Sequence, residues 1–313
     1  MPLSFVRMFN DPDECGTAQR GSTVKLTVTE RGTYSATVTR VNLHKLWMQR
    51  VCENLARTSD SQLWDHRSYF FFQTRPGPNP IRNGREVGPE CLSRFPGGYS
   101  YYARSTGPLS NGSMSLPLDE MAALAPIIGR APLTPSELVT VTPSPVAMGR
   151  LRRLHEAAIT LAEEAPAVTL NAEAARGLEA ALISALADCL SDGGVYEDRA
   201  SLRRHAAIMR RFRQIVEEHL DEPLYVPELC KAIGASERTL RACCEETLGM
   251  GPKRYLLLRR MHMVRRALRE APPGTATVTE IATRYGFWQF GRLAVEYRAL
   301  FGEAPSATLA RPI

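Results

Sequence analysis

The sequence predicts an α+β protein: an N-terminal β-barrel or sandwich, then a helical segment, then an all-α domain of two helix-turn-helix units joined by a long helix. Three observations carry this. From about residue 20 to 118, short runs of alternating hydrophobicity are separated by glycine turns. From about 119 to 200 the apolar residues fall at helical spacing. Within 203–313, one pattern is written twice.

In the first segment, Val24, Leu26 and Val28 alternate with polar residues, as do Tyr34, Ala36 and Val38. Ser68-Tyr69-Phe70-Phe71-Phe72 has the aromatic density of a buried strand. Asn83-Gly84 is a hairpin signal, because both residues tolerate the left-handed conformation a tight turn requires. Gly97-Gly98 opens another strand, Tyr99 to Ala103. Tyr69, Phe70, Phe72, Tyr99, Tyr101 and Tyr102, with Arg75 and Arg94 nearby, either line a ligand pocket or fill the barrel. In the helical segment, Leu151, Leu154, Ala158 and Leu161 form one stripe over 147–164, and Leu178, Leu182, Leu186 and Leu190 another over 171–190, with Pro166 between them. These stripes suit a dimer seam or burial within the chain. Gly193-Gly194 marks a break before a third helix at roughly 200–220.

The repeat is the most informative feature. Glu228-Leu229-Cys230 … Ile233-Gly234 recurs as Glu280-Ile281-Ala282 … Tyr285-Gly286, an offset of 52. After the glycine the offset is 53, with Leu240 matching Leu293 and Leu248-Gly249-Met250-Gly251-Pro252 matching Phe301-Gly302-Glu303-Ala304-Pro305. Each copy reads as a short helix, a glycine turn and a second helix. Gly234 and Gly286 stand where the first helix must stop. Ser236 stands at an N-cap, and Thr277 and Glu280 are spaced as a capping box. Between the copies a helix at roughly 253–270 begins after Pro252 and ends at Pro272-Pro273-Gly274. It makes a rod of about 27 Å, a length that could set two recognition helices one DNA turn, ~34 Å, apart.

Charge supports this division. Residues 203–313 hold 19 Lys and Arg against 12 Asp and Glu, a net of +7, which leaves −1 for residues 1–202 of a chain carrying +6 overall. The basic half is the half with the repeat, as a phosphate-facing surface requires. Seven cysteines, at 15, 52, 91, 189, 230, 243 and 244, match no zinc spacing and read as reduced thiols of a cytoplasmic protein. Of six histidines only His44 and His66 lie among the strands, so no metal site is expected. The first residues carry no secretion-signal pattern, and no apolar run approaches the ~20 residues that span a bilayer. There is no phosphate loop, nucleophile elbow or metal-ligand helix, so no catalytic residue and no cofactor are predicted.

Gly234-Ala235-Ser236-Glu237-Arg238-Thr239-Leu240, followed by Ile281-Ala282, Tyr285-Gly286-Phe287 and Phe301-Gly302-Glu303-Ala304-Pro305, resembles the AraC/XylS family of bacterial transcription regulators over about residues 205–310. The resemblance implies that the start of each second helix enters the major groove of double-stranded DNA. It places Arg238, Thr239 and Arg241 at the groove in the first unit and Gln289 and Arg292 in the second. Arginine suits the role because its fork bonds guanine O6 and N7 together. The competing reading is that Arg238 and Arg241 pair with Glu237 and Glu245 on the surface. Ser236, Lys253, Arg254 and Ser306 are placed at phosphates, near helix N-termini. The second unit departs from the family pattern, with Trp288, Gln289, Phe290 and Gly291 where small polar residues usually stand. Trp288 and Phe290 are expected to pack against the first helix, with contact to thymine methyls as the alternative.

The function expected is therefore transcription regulation, with RNA polymerase and a second copy of the chain as partners and a small-molecule effector or protein acting on the N-terminal half. The alternatives are a cupin-like enzyme fused to a DNA-binding module, and a regulator whose N-terminal half binds only protein.

Overall fold

The computed structural model describes residues 3–129, 138–167, 171–192, 194–195, 200–219, 224–272 and 274–311. Gly193 and Pro273, both invoked as breaks, lie outside them. Among the described residues the strands form two antiparallel sheets. The larger runs β1 (Leu3–Phe9), β3 (Ala36–Asn42), β4 (Trp47–Glu53), β11 (Leu109–Pro117), β6 (Arg67–Gln73), β9 (Leu92–Phe95), β12 (Val139–Thr142) and β13 (Gly194–Val195). The smaller runs β2 (Ser22–Val28), β5 (Arg57–Leu63), β10 (Ser100–Arg104), β7 (Ile81–Arg82) and β8 (Arg85–Glu86). Asn83 and Gly84, at φ 48 and 80, make the two-residue turn between β7 and β8.

The period of two along β6 divides its aromatics. Tyr69 and Phe71 point between the sheets, joining Leu63, Phe95 and Tyr101. Phe70 and Phe72 point to the outer face of the larger sheet, joining Met48, Met114 and Leu116. That outer face is covered by helices α3 (Pro145–Glu164) and α4 (Ala172–Asp192). Leu151, Ala158, Leu182, Leu186 and Leu190 are buried there and Leu154 and Leu178 pack against them, so both stripes are consumed within the chain. Each fully buried leucine contributes about 1.5–3 kcal/mol.

Strands β1, β12 and β13 and helix α1 lie outside the predicted pattern. Asp11 caps helix α1 (Pro12–Ala18), its side chain accepting the N–H groups of Asp13 and Glu14. Strand β12 interrupts the helical segment: Val139 and Val141 alternate with threonines and extend the larger sheet beside β9. Helix α2 (Leu118–Ile128) precedes it and α5 (Ala200–Glu218) leads into the repeat.

The C-terminal helices fill two cores. Leu229, Ile233, Leu240, Cys243, Cys244 and Leu248 meet Phe212, Tyr255 and Leu256 in one. Ile281, Ala282, Leu293, Tyr297 and Leu300 meet Leu258, Met261, Val264 and Leu268 in the other. The connecting helix α8 (Pro252–Glu270) gives its first turns to one core and its later turns to the other, and at 19 residues is about 28 Å long.

Candidate nucleic-acid interface

The first unit is α6 (Val226–Ile233) and α7 (Glu237–Leu248); the second is α9 (Val278–Arg284) and α10 (Phe290–Phe301). Their turns share one closing bond, although the Gly234 N–H donates to the Cys230 carbonyl and the Gly286 N–H to that of Thr283. Gly234 and Gly286 sit at φ 73 and 74. Just beyond each, the Ala235 N–H donates to the Cys230 carbonyl at 3.1 Å and the Phe287 N–H to the Ala282 carbonyl at 3.0 Å, the bond that closes a Schellman end. The change of offset also has its cause here: α7 begins three residues after its glycine and α10 begins four after. Gly249 and Gly302 end the second helices at φ 74 and 76, and Pro252 and Pro305 open the helices that follow.

The caps differ between the units. Ser236 accepts the Thr239 N–H at 3.1 Å and its hydroxyl lies 2.8 Å from that of Thr239, so both side chains are engaged with the helix start. Gln289 caps α10 without any side-chain bond to the helix and leaves its amide exposed. Thr277 and Glu280 form the full capping box of α9, and those bonds hold the Glu280 carboxyl below its ordinary range.

The predicted groove residues are at the surface. Arg238 is exposed and forms no ion pair among the described residues. Arg241 Nε lies 2.9 Å from Glu245 Oε1 and Arg292 Nε lies 2.8 Å from Glu296 Oε1, each one helical turn on. The Glu245 hydrogen bond and charge raise the Arg241 pKa. Exposed i,i+4 pairs of this kind are worth only ~0.3–0.5 kcal/mol, so both arginines exchange partners at little cost. Glu237 pairs instead with Lys253 Nζ at 3.5 Å. Cys243 is buried and Ala242 exposed, as packing and neutral positions require. Arg254 and Ser306 are exposed, Arg254 beside Thr29 and Arg31 of the barrel. Ser306 is the second residue of a five-residue helix, Pro305–Leu309, too short for much of a dipole.

Trp288 corrects the packing expectation. It is 72% exposed, and Phe290 is 37% exposed. Phe287 packs against the core of the second unit in its place, with the Arg260 guanidinium 5.2 Å from its ring centroid. Trp288, Gln289 and Arg292 instead edge a recess of ≈ 320 Å³ with Arg260 and Leu257. Arg260 had no signal in the repeat, since it lies in the spacer helix.

Of the two readings of the barrel aromatics, filling holds for most: Tyr69 and Tyr101 border the small cavity between the sheets, and Tyr99 packs in the same core. Phe70 and Phe72 face the helices, Tyr102 enters the core of the first helix-turn-helix unit, and Arg75 is exposed beside Glu156. His44 and His66 are exposed, and among the described residues no three His, Cys, Asp or Glu side chains are placed to hold a metal. The seven cysteines are free thiols. No helix of the described residues is long and apolar enough to cross a membrane.

A family model described as a helix-turn-helix domain matches residues 229–311, and the segment carries both repeats with their turns. The C-terminal region is an AraC/XylS-type helix-turn-helix domain. The chain is similar to the probable thc operon regulatory protein of Rhodococcus erythropolis, 33% identical over 151 residues, 45% of each chain. It is also similar to a XylDLEGF operon transcriptional activator of Pseudomonas putida, 36% identical over 99 residues, 32% of this chain and 31% of that one. The chain thus matches less than half the length of these relatives. Among solved structures, the AraC-like transcriptional activator CuxR shares 15% identity across 90% of this chain and all of that one, with a TM-score of 0.44.

Proposed function

We propose that the protein is a sequence-specific DNA-binding regulator of transcription, acting in the cytoplasm by binding and not by catalysis. The observation that carries this is the tandem of two matched helix-turn-helix units whose second helices present Arg238, Arg241 and Arg292 to solvent. In this reading Arg238, Thr239 and Arg241 meet one groove segment and Gln289 and Arg292 the next. Ser236, Lys253, Arg254 and Ser306 hold phosphates. The relatives named as operon regulators and transcriptional activators support it. RNA polymerase, a second copy of the chain and a small-molecule effector are the partners proposed. Because the leucine stripes are buried, a homodimer would use another surface.

The test is binding of the full chain to a duplex selected from a random pool, measured across salt. Each phosphate neutralised contributes about −0.9 to the slope of log affinity against log salt. A slope near zero removes the phosphate contacts. Arg238→Ala is expected to lower discrimination between the selected duplex and random DNA by ~1–3 kcal/mol. An equal loss on both duplexes puts Arg238 on the backbone.

A further inference from the structure

The two recognition helices carry different chemistry at matched positions. Aligned by the repeat, Gly291 of α10 stands where α7 has Arg238, Ala294 where it has Arg241, and Val295 where it has Ala242. All six residues are exposed. Gly291, Ala294 and Val295 are three and four positions apart and share one face of α10. Trp288, just ahead of the helix, is 72% exposed, and Val295 is 71% exposed. Phe290, the first residue of α10, is exposed as well. The face that carries two arginines in the first unit is thus apolar in the second. Arg292 flanks it, tied to Glu296 at 2.8 Å, and Arg298 ends the same stripe.

Gly291 adds a second observation. Glycine weakens a helix because it has the most backbone freedom to lose and no side chain to pack. Elsewhere in this chain a positive φ or a close neighbour calls for it: Gly302 ends α10 at φ 76, and a Cβ on Gly112 would meet Thr74 at 2.6 Å. Gly291 has neither reason. Its φ is not positive, and a Cβ there would meet nothing within 4 Å. The open space above it is therefore available to whatever meets the helix from outside, at the position from which Arg238 extends in the first unit.

Of the groups that base pairs present in the major groove, the thymine C5 methyl is the apolar one; the others are hydrogen-bond donors and acceptors. A face without hydrogen-bonding side chains can read only that methyl, and a helix without a side chain at Gly291 can approach it closely. Gln289 supplies the complement. Its amide is exposed and makes no bond to the helix start, and a glutamine amide bonds N6 and N7 of adenine, the partner of thymine. We infer that the second unit reads A·T pairs, with a thymine methyl seated over Gly291 beside Trp288 and adenine held by Gln289. The first unit, with Arg238 and Arg241, reads guanine. The inference rests on the DNA-binding reading and names the base chemistry of its second segment.

The test uses the full chain and the duplex selected from a random pool, with one thymine at a time replaced by deoxyuridine, which deletes the methyl alone. At a thymine of one segment, binding is expected to weaken about fourfold, the ~0.8 kcal/mol of one buried methyl. Gly291→Ala puts a methyl of its own into the same space. It is expected to bind the thymine duplex roughly fivefold less tightly, as overpacking requires, yet to bind the matching uracil duplex as well as the natural chain does. Its unfolding midpoint should be unchanged or higher, since an exposed helix glycine is replaced by alanine. Indifference to uracil at every position overturns the inference. So does a Gly291→Ala variant that loses nothing on thymine, or loses equally on thymine and uracil. If Val295→Asp splits a dimer of the DNA-free chain while uracil changes nothing, the apolar face belongs to a second copy and the inference falls. A natural chain that binds no duplex removes the DNA-binding reading itself; one that binds with a salt slope but ignores uracil removes only the A·T reading.

Discussion

Acidification should loosen the contact between the AraC-type domain and the barrel through His262. This histidine lies on the spacer helix, 5% exposed, with Nε2 3.4 Å from the Val28 carbonyl of β2 and its ring 5.0 Å from that of Phe301. Burial pushes its pKa down to about 4 from 6.5; Asp13 and Asp11 pull it up and Arg265 pushes it down, and burial prevails. The unfolded chain takes the proton near 6.5 and the folded one near 4. The stabilisation is therefore complete above the unfolded value and lost as pH falls between the two. The rate is ~1.4 kcal/mol per pH unit, for a total of roughly 3 kcal/mol. His262→Gln keeps a donor for Val28 and cannot titrate. Urea unfolding of both proteins between about pH 7 and pH 5 isolates the effect, because His155, also pushed down to about 4, titrates in both. The stability of the natural chain relative to the variant should fall by ~2 kcal/mol over that range. Stabilities that run parallel from pH 7 to pH 5 would refute the argument.

Three further outcomes follow from the geometry. Asp11→Asn keeps the cap of α1 but leaves Arg265, 7% exposed, with only Glu303 at 3.9 Å, and should cost ~3 kcal/mol in urea unfolding; a loss below ~1 kcal/mol would mean the pair is solvated. Glu245→Gln frees Arg241 and removes a negative charge from the groove-facing helix, so affinity for the selected duplex should rise a few-fold at low salt, with the gain disappearing at high salt. Trp288→Ala should leave stability within ~0.5 kcal/mol, as for other exposed positions, while weakening DNA binding by about tenfold. Replacing thymine by uracil in the duplex, which deletes only the methyl, should then affect the natural protein and not the variant.

Much of the tandem helix-turn-helix domain was legible because its signals are local. A glycine at φ 73, a serine hydroxyl on the third amide and a Thr-x-x-Glu box are each set by residues within one helical turn of each other. The repeat then doubled every signal. The barrel strands were legible by alternation, but β6 is buried on both faces, so alternation could not say which aromatics face the cavity. The registers decide it, pairing Phe70 with Met114 and leaving Tyr69 and Phe71 inward. Trp288 was misread for a similar reason: an apolar residue next to a turn is ambiguous until its neighbour Phe287 is seen to pack against the core instead.

What the local pattern could not show is how the two halves share structure. Tyr102 of β10 is buried in the core of the first helix-turn-helix unit, with its ring 6.5 Å from that of Tyr255 on the spacer helix. Along the same spacer, Arg265 and Arg269 meet Asp11, Arg266 meets Asp13, and Arg269 also meets Glu14. Asp11 and Arg265 stand 254 positions apart in the chain, and no periodicity links residues at that distance. Folding sets them against each other, so part of the basic excess of residues 203–313 is neutralised by the barrel. The charge left over lies on the exposed arginines and lysines outside these pairs, among them Arg210, Lys231, Arg238 and Arg284. Salt dependence of DNA binding should accordingly report those few exposed arginines and lysines, and not the full +7 counted along the sequence.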